Sequence, residues 1–455
     1  MAELKRTNLG VEREKCVLVG VILPGSTADP RDPLGELASL VATAGGEVAE
    51  RILQKKRAVD AGTYVGSGKA EEIARSAMRH NAECVVFDNE LTPGQIGALE
   101  KIINQTANSP RGKGIKVIDR SELILDIFAG RAQTAEAKLQ VELAQMEYTY
   151  PRLTRMWGHL ERIAGGGTIG IGTRGPGETQ LEIDRRLVRK RVGDLKASIA
   201  QVQNRKTRTV ERRNREHYTV CIVGYTNAGK STLFNTLTAA GTYADDKLFA
   251  TLDTKTRSWR LERGLEVLLS DTVGFVRDLP HNLVASFKAT LEEATTADLL
   301  LHVLDIAHPR AEQQYTAARE VLDEIGAGDK PELLLLNKTD TDEGREQAAY
   351  WRALHGEAIS ISAKTGAGLA ELQEKVYAYI RGQQVEVTLR ADVTDGRLLA
   401  FLESHSRVQE RQIVEGQVEM TTVMGRRTLL DVKRNEAVQI LAVKSAAESA
   451  ASGIK

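Results

Sequence analysis

The sequence has little of what would make a disulfide scaffold: its 455 residues include three cysteines, Cys16, Cys84 and Cys221, and no C-x-x-C pair. Each is followed by Val or Ile, so they read as buried strand thiols in preference to a cysteine metal site. Aromatic residues are only 4% of the chain, which argues against recognition of nucleic acid chiefly by base stacking. No apolar run reaches the ~18 residues needed to cross a bilayer, and the first residues form no apolar signal segment. The expected location is the cytoplasm, with no stable membrane insertion and at most peripheral attachment. Neither sign of charge dominates, since 62 Lys and Arg balance 62 Asp and Glu. Net charge therefore points to no partner, and charge must be read segment by segment.

What is present is enough chain for about two to four domains. Residues 1–134 alternate short β-rich runs with helical patterns and predict a small α/β domain. The runs are Cys16–Leu23, Glu47–Leu53 and Cys84–Phe87, with helices near Leu34–Ala44, Lys69–His80 and Pro93–Ile103. Residues 135–216 predict a helical hairpin. Its first helix runs from Ala135 to about Ile163 with a break at Pro151, its second from about Thr179 to Glu216, and Gly165–Gly177 is a glycine-rich tip. Residues 217–382 alternate strands (Val220–Val223, Leu265–Ser270, Leu299–Leu304, Leu333–Leu336, Ile359–Ile361) with helices (Ser231–Ala239, Leu283–Thr295, Ala311–Ile325, Leu369–Arg381), a doubly wound α/β fold. Residues 383–444 read as a small C-terminal α/β domain. Residues 445–455, rich in Ala and Ser, read as a disordered tail.

The chemistry centres on Gly224-Tyr225-Thr226-Asn227-Ala228-Gly229-Lys230-Ser231, after the apolar run Val220–Val223 and before a helical pattern opening at Thr232. The spacing G-x-x-x-x-G-K-S allows backbone N–H groups and a helix N-terminus to wrap an anion, with Lys230 on the β- and γ-phosphates and Ser231 on Mg²⁺. Asp271-Thr272-Val273-Gly274 follows a second apolar strand. Asp271 is expected to hold Mg²⁺ through water, and Gly274 to offer its N–H to the γ-phosphate. Between them a Thr must reach the metal; Thr251 is the choice, with Thr254 and Thr256 as competitors. Lys230, Thr251 and Gly274 are thus the catalytic candidates. Phe275 stands where many signalling GTPases place a water-orienting Gln, which predicts slow hydrolysis until a partner intervenes. Asn227 is either a purely structural residue or a helper to a potassium ion.

The base is read further on. Asp340, in Asn337-Lys338-Thr339-Asp340, can accept from guanine N1–H and the 2-amino group, which adenine does not offer. Asn337 can bond N7, the Lys338 stem can lie along the ring, and Ser362-Ala363-Lys364 can direct a backbone N–H toward O6. These motifs, each at a strand end and in this order, make GTP and GDP the expected ligands. A second turn, Gly66-Ser67-Gly68-Lys69, has Thr63 in place of the first glycine and Ala70 in place of the hydroxyl. It is read as a tight turn into a helix in preference to a degenerate phosphate site. The second hairpin helix is basic. Arg185, Arg186, Arg189 and Lys190, with Arg174 at the tip, are candidates for binding RNA phosphate, against the plainer reading of a solvated helix face.

The run Arg174-Gly175-Pro176-Gly177-Glu178-Thr179-Gln180-Leu181-Glu182 followed by Asp184-Arg185-Arg186, together with Asp271-Thr272-Val273-Gly274-Phe275 continuing to Leu279-Pro280-His281, resembles the HflX family within the Obg–HflX group of P-loop GTPases. The resemblance covers about Cys16 to Arg381, and the piece after Arg381 is similar to that of proteobacterial members. It implies a GTP-hydrolysing factor that binds the large ribosomal subunit and its rRNA, brings the hairpin tip toward the peptidyl transferase region, and separates stalled or idle ribosomes, notably under heat stress. It also implies ATP binding by the N-terminal domain as a minor possibility, which keeps the Gly66–Lys69 turn open. Thr254-Lys255 and Thr339 depart from the family's usual residues without touching an expected contact. A monomer is expected. The competing functions are a GTP-gated module acting on a protein or membrane partner, and an ATP-driven RNA remodeller.

Overall fold

The computed structural model describes residues 14–26, 28–107, 114–148, 186–203, 205, 217–238, 254–261, 265–276, 292–414, 416–433, 435 and 437–445. The chain divides into two compact units, one of Met1–Val202, Asp245–Asp253 and Val273–Leu291, the other of Gln203–Ala244, Thr254–Thr272 and Glu292–Lys455.

In the first unit β1 (Lys15–Ile22), α1 (Gly35–Thr43), β2 (Glu47–Lys55), α2 (Ser67–Arg79), β3 (Cys84–Phe87), α3 (Pro93–Ala107), β4 (Lys116–Asp119) and α4 (Arg120–Arg131) alternate strictly. The sheet order is β2-β1-β3-β4 and every pairing is parallel. β1 is an almost unbroken apolar run because a parallel sheet is covered on both faces. One face packs Leu18, Leu37, Leu40, Ile124 and Phe128; the other packs Val17, Val19, Ile73, Phe87 and Leu99. β4 and α4 were absent from the sequence expectation. Seven of the twelve α4 residues are buried, Arg120 and Ser121 among them, so the helix carries little of the one-sided pattern by which helices are recognised. Asp119 opens α4 by accepting from the Glu122 N–H.

Two further helices follow, α5 over residues 135–148 and α6 over residues 186–203. They share an apolar seam of Leu143, Leu195 and Ile199, with Leu139, Met146 and Val192 packed against it. The expected glycine-rich tip, Pro151, Arg174 and Arg185 lie outside the described residues.

The second unit holds the six-stranded sheet β10-β9-β8-β5-β7-β6. Its elements are β5 (Tyr218–Gly224), α7 (Lys230–Thr238), β6 (Lys255–Arg260), β7 (Glu266–Asp271), α8 (Glu292–Thr296), β8 (Leu299–Asp305), α9 (Ala311–Glu324), β9 (Glu332–Asn337), α10 (Asp342–Leu354), β10 (Ile359–Ser360) and α11 (Leu369–Gly382). All neighbours run parallel except β6, which is antiparallel to β7. β6 and α10 are additions to the sequence expectation. β6 is an edge strand, and its six residues Lys-Thr-Arg-Ser-Trp-Arg bury only Trp259. After α11 only Gln383 intervenes before β11 (Gln384–Asp392), α12 (Gly396–His405), β12 (Arg407–Val414), β13 (Gln417–Gly425), α13 (Arg426–Lys433) and β14 (Val438–Ser445). This βαββαβ order makes an antiparallel sheet β12-β13-β11-β14, with Val387, Leu389, Met420 and Leu402 in its core.

Candidate active site

β5 delivers the phosphate loop. Gly224 ends the strand at φ +140°, and a Cβ there would stand 2.3 Å from the Val303 carbonyl oxygen of the adjacent β8. Gly229 sits at φ +98°, where a Cβ would lie 2.3 Å from Asn337 Nδ2. Both positions therefore need glycine for conformation and for close approach. Asn227 occupies the left-handed region at φ +63°, which Asn tolerates better than most residues. Lys230 is buried at the start of α7 and donates from Nζ to the Tyr225 carbonyl at 2.6 Å. Burial pulls its pKa down to about 8 against the partial support of the Asp271 charge. The Ser231 hydroxyl donates to Asp271 Oδ2 at 2.8 Å. Asp271 is the last residue of β7 and is buried, as is Thr272, whose hydroxyl donates to the Ile222 carbonyl at 2.7 Å. A hydroxyl and a carboxylate in this contact are hard oxygen donors of the kind Mg²⁺ takes alongside phosphate and water. Phe275 is 2% exposed, so the residue after Gly274 lies in the core. Thr251 lies outside the described residues.

The base end is tied to the phosphate end by one side chain. Asn337 is the last residue of β9 and is buried. Its Nδ2 donates to the Ala228 carbonyl at 2.7 Å, and its Oδ1 accepts from the Ala363 N–H at 2.9 Å. Its first task is thus to join three loops, with a second Nδ2 hydrogen left for a purine N7. Asp340 accepts from the Ser362 hydroxyl at 2.7 Å, and this hydrogen bond holds the carboxyl below the usual range. The Ser362 N–H donates to Ala367 and the Ala363 N–H to Asn337, which leaves the Lys364 N–H as the candidate of that tripeptide for guanine O6. Lys338 has φ +68° and pairs through Nζ with Asp305 Oδ2 at 2.7 Å. Asp305, at the end of β8, is a positioning residue that motif reading overlooked; its signal is a carboxylate closing an apolar strand, as at Asp271. The remaining candidates Thr226, Ala228 and Thr232 lie in the phosphate loop or at the start of α7, Thr226 and Ala228 buried and Thr232 half-buried; Gly274, three residues after Asp271 in sequence, is buried and belongs to the first unit.

The Gly66–Lys69 turn is filled by its own chain. The Asp60 carboxylate accepts from the N–H groups of Gly62 and Thr63 and from the Thr63 hydroxyl, and Thr63 Oγ1 in turn accepts from the Gly66 N–H. Lys69 pairs with Glu72 at 2.7 Å. The Gly66 N–H and the Lys69 ammonium thus have partners within the chain, as a tight turn into a helix would give them. On α6, Arg186, Arg189 and Lys190 are exposed. Among the described residues they make no ion pair, whereas Arg191 and Lys196 pair with Glu142 and Glu147.

Comparison with known proteins matches residues 31–129 to the family described as GTP-binding GTPase N-terminal and residues 131–215 to the GTP-binding GTPase Middle Region. Residues 219–338 match the 50S ribosome-binding GTPase family. GTPase HflX of Escherichia coli K12 is 42% identical over 413 residues, 88% of this chain and 90% of that protein. This chain belongs to the HflX family. The HflX GTPase of Lacrimispora saccharolytica is 43% identical over 375 residues, 82% of this chain and 85% of that one. Among solved structures, a GTP-binding protein from Sulfolobus solfataricus in complex with GDP aligns at 23% identity and TM-score 0.42 over 80% of this chain and 98% of its own. As a member of the HflX family the chain is a GTPase of a ribosome-associated group. Among the described residues no helix is long and apolar enough to cross a membrane.

Proposed function

We propose that this HflX-family GTPase binds the large ribosomal subunit and its RNA in the GTP state and separates stalled or idle ribosomes into subunits, with heat stress as the occasion. The observation that carries the ribosomal reading is the division of charge on α6. Arg191 and Lys196 are spent on α5, while Arg186, Arg189 and Lys190 stay exposed for RNA phosphate. The same role is proposed for Arg174 and Arg185.

At the nucleotide, residues 224–232 wrap the phosphates, with Lys230 moving from the Tyr225 carbonyl to the β- and γ-oxygens. Asp340, Asn337, Lys338 and the Ser362–Lys364 turn select guanine. Ser231 and Asp271, with Thr251, hold Mg²⁺, which when bound neutralises charge on the β- and γ-phosphates. Gly274 donates its N–H to the γ-phosphate. Phe275 offers nothing to an attacking water, so turnover waits for the ribosome to order the loop; Asn227 is the residue through which potassium would assist.

The test is light-scattering dissociation of intact ribosomes by the full chain, beside filtration binding over a salt series. Substituting Arg186, Arg189 and Lys190 together by Gln should weaken large-subunit binding and flatten its salt dependence. Shortening Gly165–Gly172 should spare GTP binding and abolish splitting. A shortened variant that splits ribosomes as well as the parent would reduce the tip to a linker and remove the proposed function.

A further inference from the structure

Two of the three cysteines meet in the first unit. Cys16 is the second residue of β1 and Cys84 the first of β3, and the parallel register sets them directly opposite each other. The Cys16 S–H donates to the Glu14 carbonyl at 3.6 Å. The nearness of the two thiols lowers the pKa of Cys16 and raises that of Cys84, giving one better nucleophile and one partner still protonated. Both side chains are only 5–6% exposed, yet they sit at strand ends between exposed Glu14, Lys15 and Glu83, not in mid-sheet. Cys221, in the middle of β5 and 1% exposed, is the contrast: burial pushes its thiol well above the ordinary value.

We propose that Cys16 and Cys84 form a reversible dithiol–disulfide pair in the N-terminal sheet, oxidised by hydrogen peroxide. Neighbouring strands lie about 4.8 Å apart, inside the roughly 4.4–6.8 Å over which Cα atoms are bridged by a disulfide. The Cβ atoms must still be drawn together to about 3.8 Å, which strains the bridge and keeps it easily reduced. An extra residue in β2 opposite the step from Cys16 to Val17 marks the place where β1 already departs from regular pairing. In the reaction Cys16 sulfur attacks one peroxide oxygen, the O–O bond breaks, and the departing hydroxide leaves as water with the Cys16 proton. Cys84 sulfur then attacks the sulfenic sulfur, the S–O bond breaks, and the second hydroxide leaves as water with the Cys84 proton. Two thiols and one peroxide thus give one disulfide and two waters, with both sulfurs oxidised and both peroxide oxygens reduced. The exposed carboxylates of Glu14 and Glu83 beside the pair repel the carboxylates of glutathione disulfide but not a neutral peroxide.

The experiment treats the folded full-length protein with hydrogen peroxide, alkylates remaining thiols, and maps tryptic peptides by mass spectrometry. The expected product joins Cys16–Arg31 to His80–Lys101, disappears on reduction with dithiothreitol, and leaves Cys221 unmodified until the protein is denatured. In Cys84→Ser a sulfenic acid should be trapped at Cys16 by dimedone. Should that variant fail to fold, a comparison of oxidants on the parent protein decides: glutathione disulfide at equal concentration should give at least tenfold slower cross-linking. Absence of the joined peptide in natively folded protein, pairing with Cys221, or equal rates with both oxidants would overturn the proposal.

Discussion

Gly66-Ser67-Gly68-Lys69 and Gly224–Ser231 both enter helices from glycine-rich turns that carry a lysine, yet they close differently. In the first, Asp60 lies a few residues upstream; its carboxylate takes the N–H groups of Gly62 and Thr63, and Thr63 Oγ1 takes that of Gly66. In the second, the carboxylate comes from another strand and meets the Ser231 hydroxyl, while Asn337 reaches across from a third strand to the loop's carbonyl. A local anion makes a finished turn; distant partners make a loop whose concavity is left to a ligand. The glycines follow suit. Gly68 has nothing within 4 Å of an added Cβ, whereas Gly229 has Asn337 Nδ2 at 2.3 Å.

The largest effect should come from Gly229→Ala, which would have to displace Asn337 and so loosen the phosphate and base loops together. GTP affinity is expected to fall at least ~100-fold, or about 2.7 kcal/mol, by equilibrium binding of a fluorescent analogue. Retention of parental affinity would mean that Asn337 does not organise the site. Next is Asp340→Asn, expected to weaken GTP by about 1.5–3 kcal/mol and to improve XTP, read by competition between the two nucleotides. An unchanged preference would remove Asp340 from base recognition.

Lys230 supplies a pH test. Its ligand-free pKa is drawn down to about 8, and bound phosphate favours its charged form, so nucleotide binding takes up a proton above that pH. GTP affinity should hold steady below about 8 and fall by up to tenfold per unit above it, toward the ordinary lysine range near ~10.4. A flat profile would place the Lys230 charge away from the phosphates. At the other turn, Asp60→Ala should lower the melting temperature and leave GTP affinity unchanged. The smallest change is Gly68→Ala, which lies in the first turn of α2 with open space around it and should stabilise by about 0.5–1 kcal/mol. Loss of nucleotide binding in either variant would show the N-terminal turn to be a site after all.

The same contrast explains what the sequence could disclose. Strands buried on both faces, such as Val220–Val223 and Cys84–Phe87, announce themselves as short apolar runs, and the motifs sit at their ends. Edge strand β6 and helix α4 do not, because one buries a single side chain of six and the other buries seven of twelve residues, the polar Arg120 and Ser121 among them, which blurs its apolar period. Spacing alone picks out the residues proposed to contact a nucleotide. The way the protein holds them was not: Asn337 bridging Ala228 and Ala363, or Asp305 steadying Lys338 at positive φ, are pairings between residues 26 to 109 positions apart or between neighbouring strand ends. Only the fold brings them together.

The most direct test of a GTP-gated ribosomal factor is co-sedimentation of the full chain with purified large subunits in GTP, GDP and a non-hydrolysable GTP analogue, with turnover measured in the same tubes. The account predicts retention with the analogue, release with GDP, and turnover raised at least roughly tenfold by subunits, about 1.4 kcal/mol of barrier. Equal retention in all three nucleotides, with hydrolysis indifferent to subunits, would contradict it.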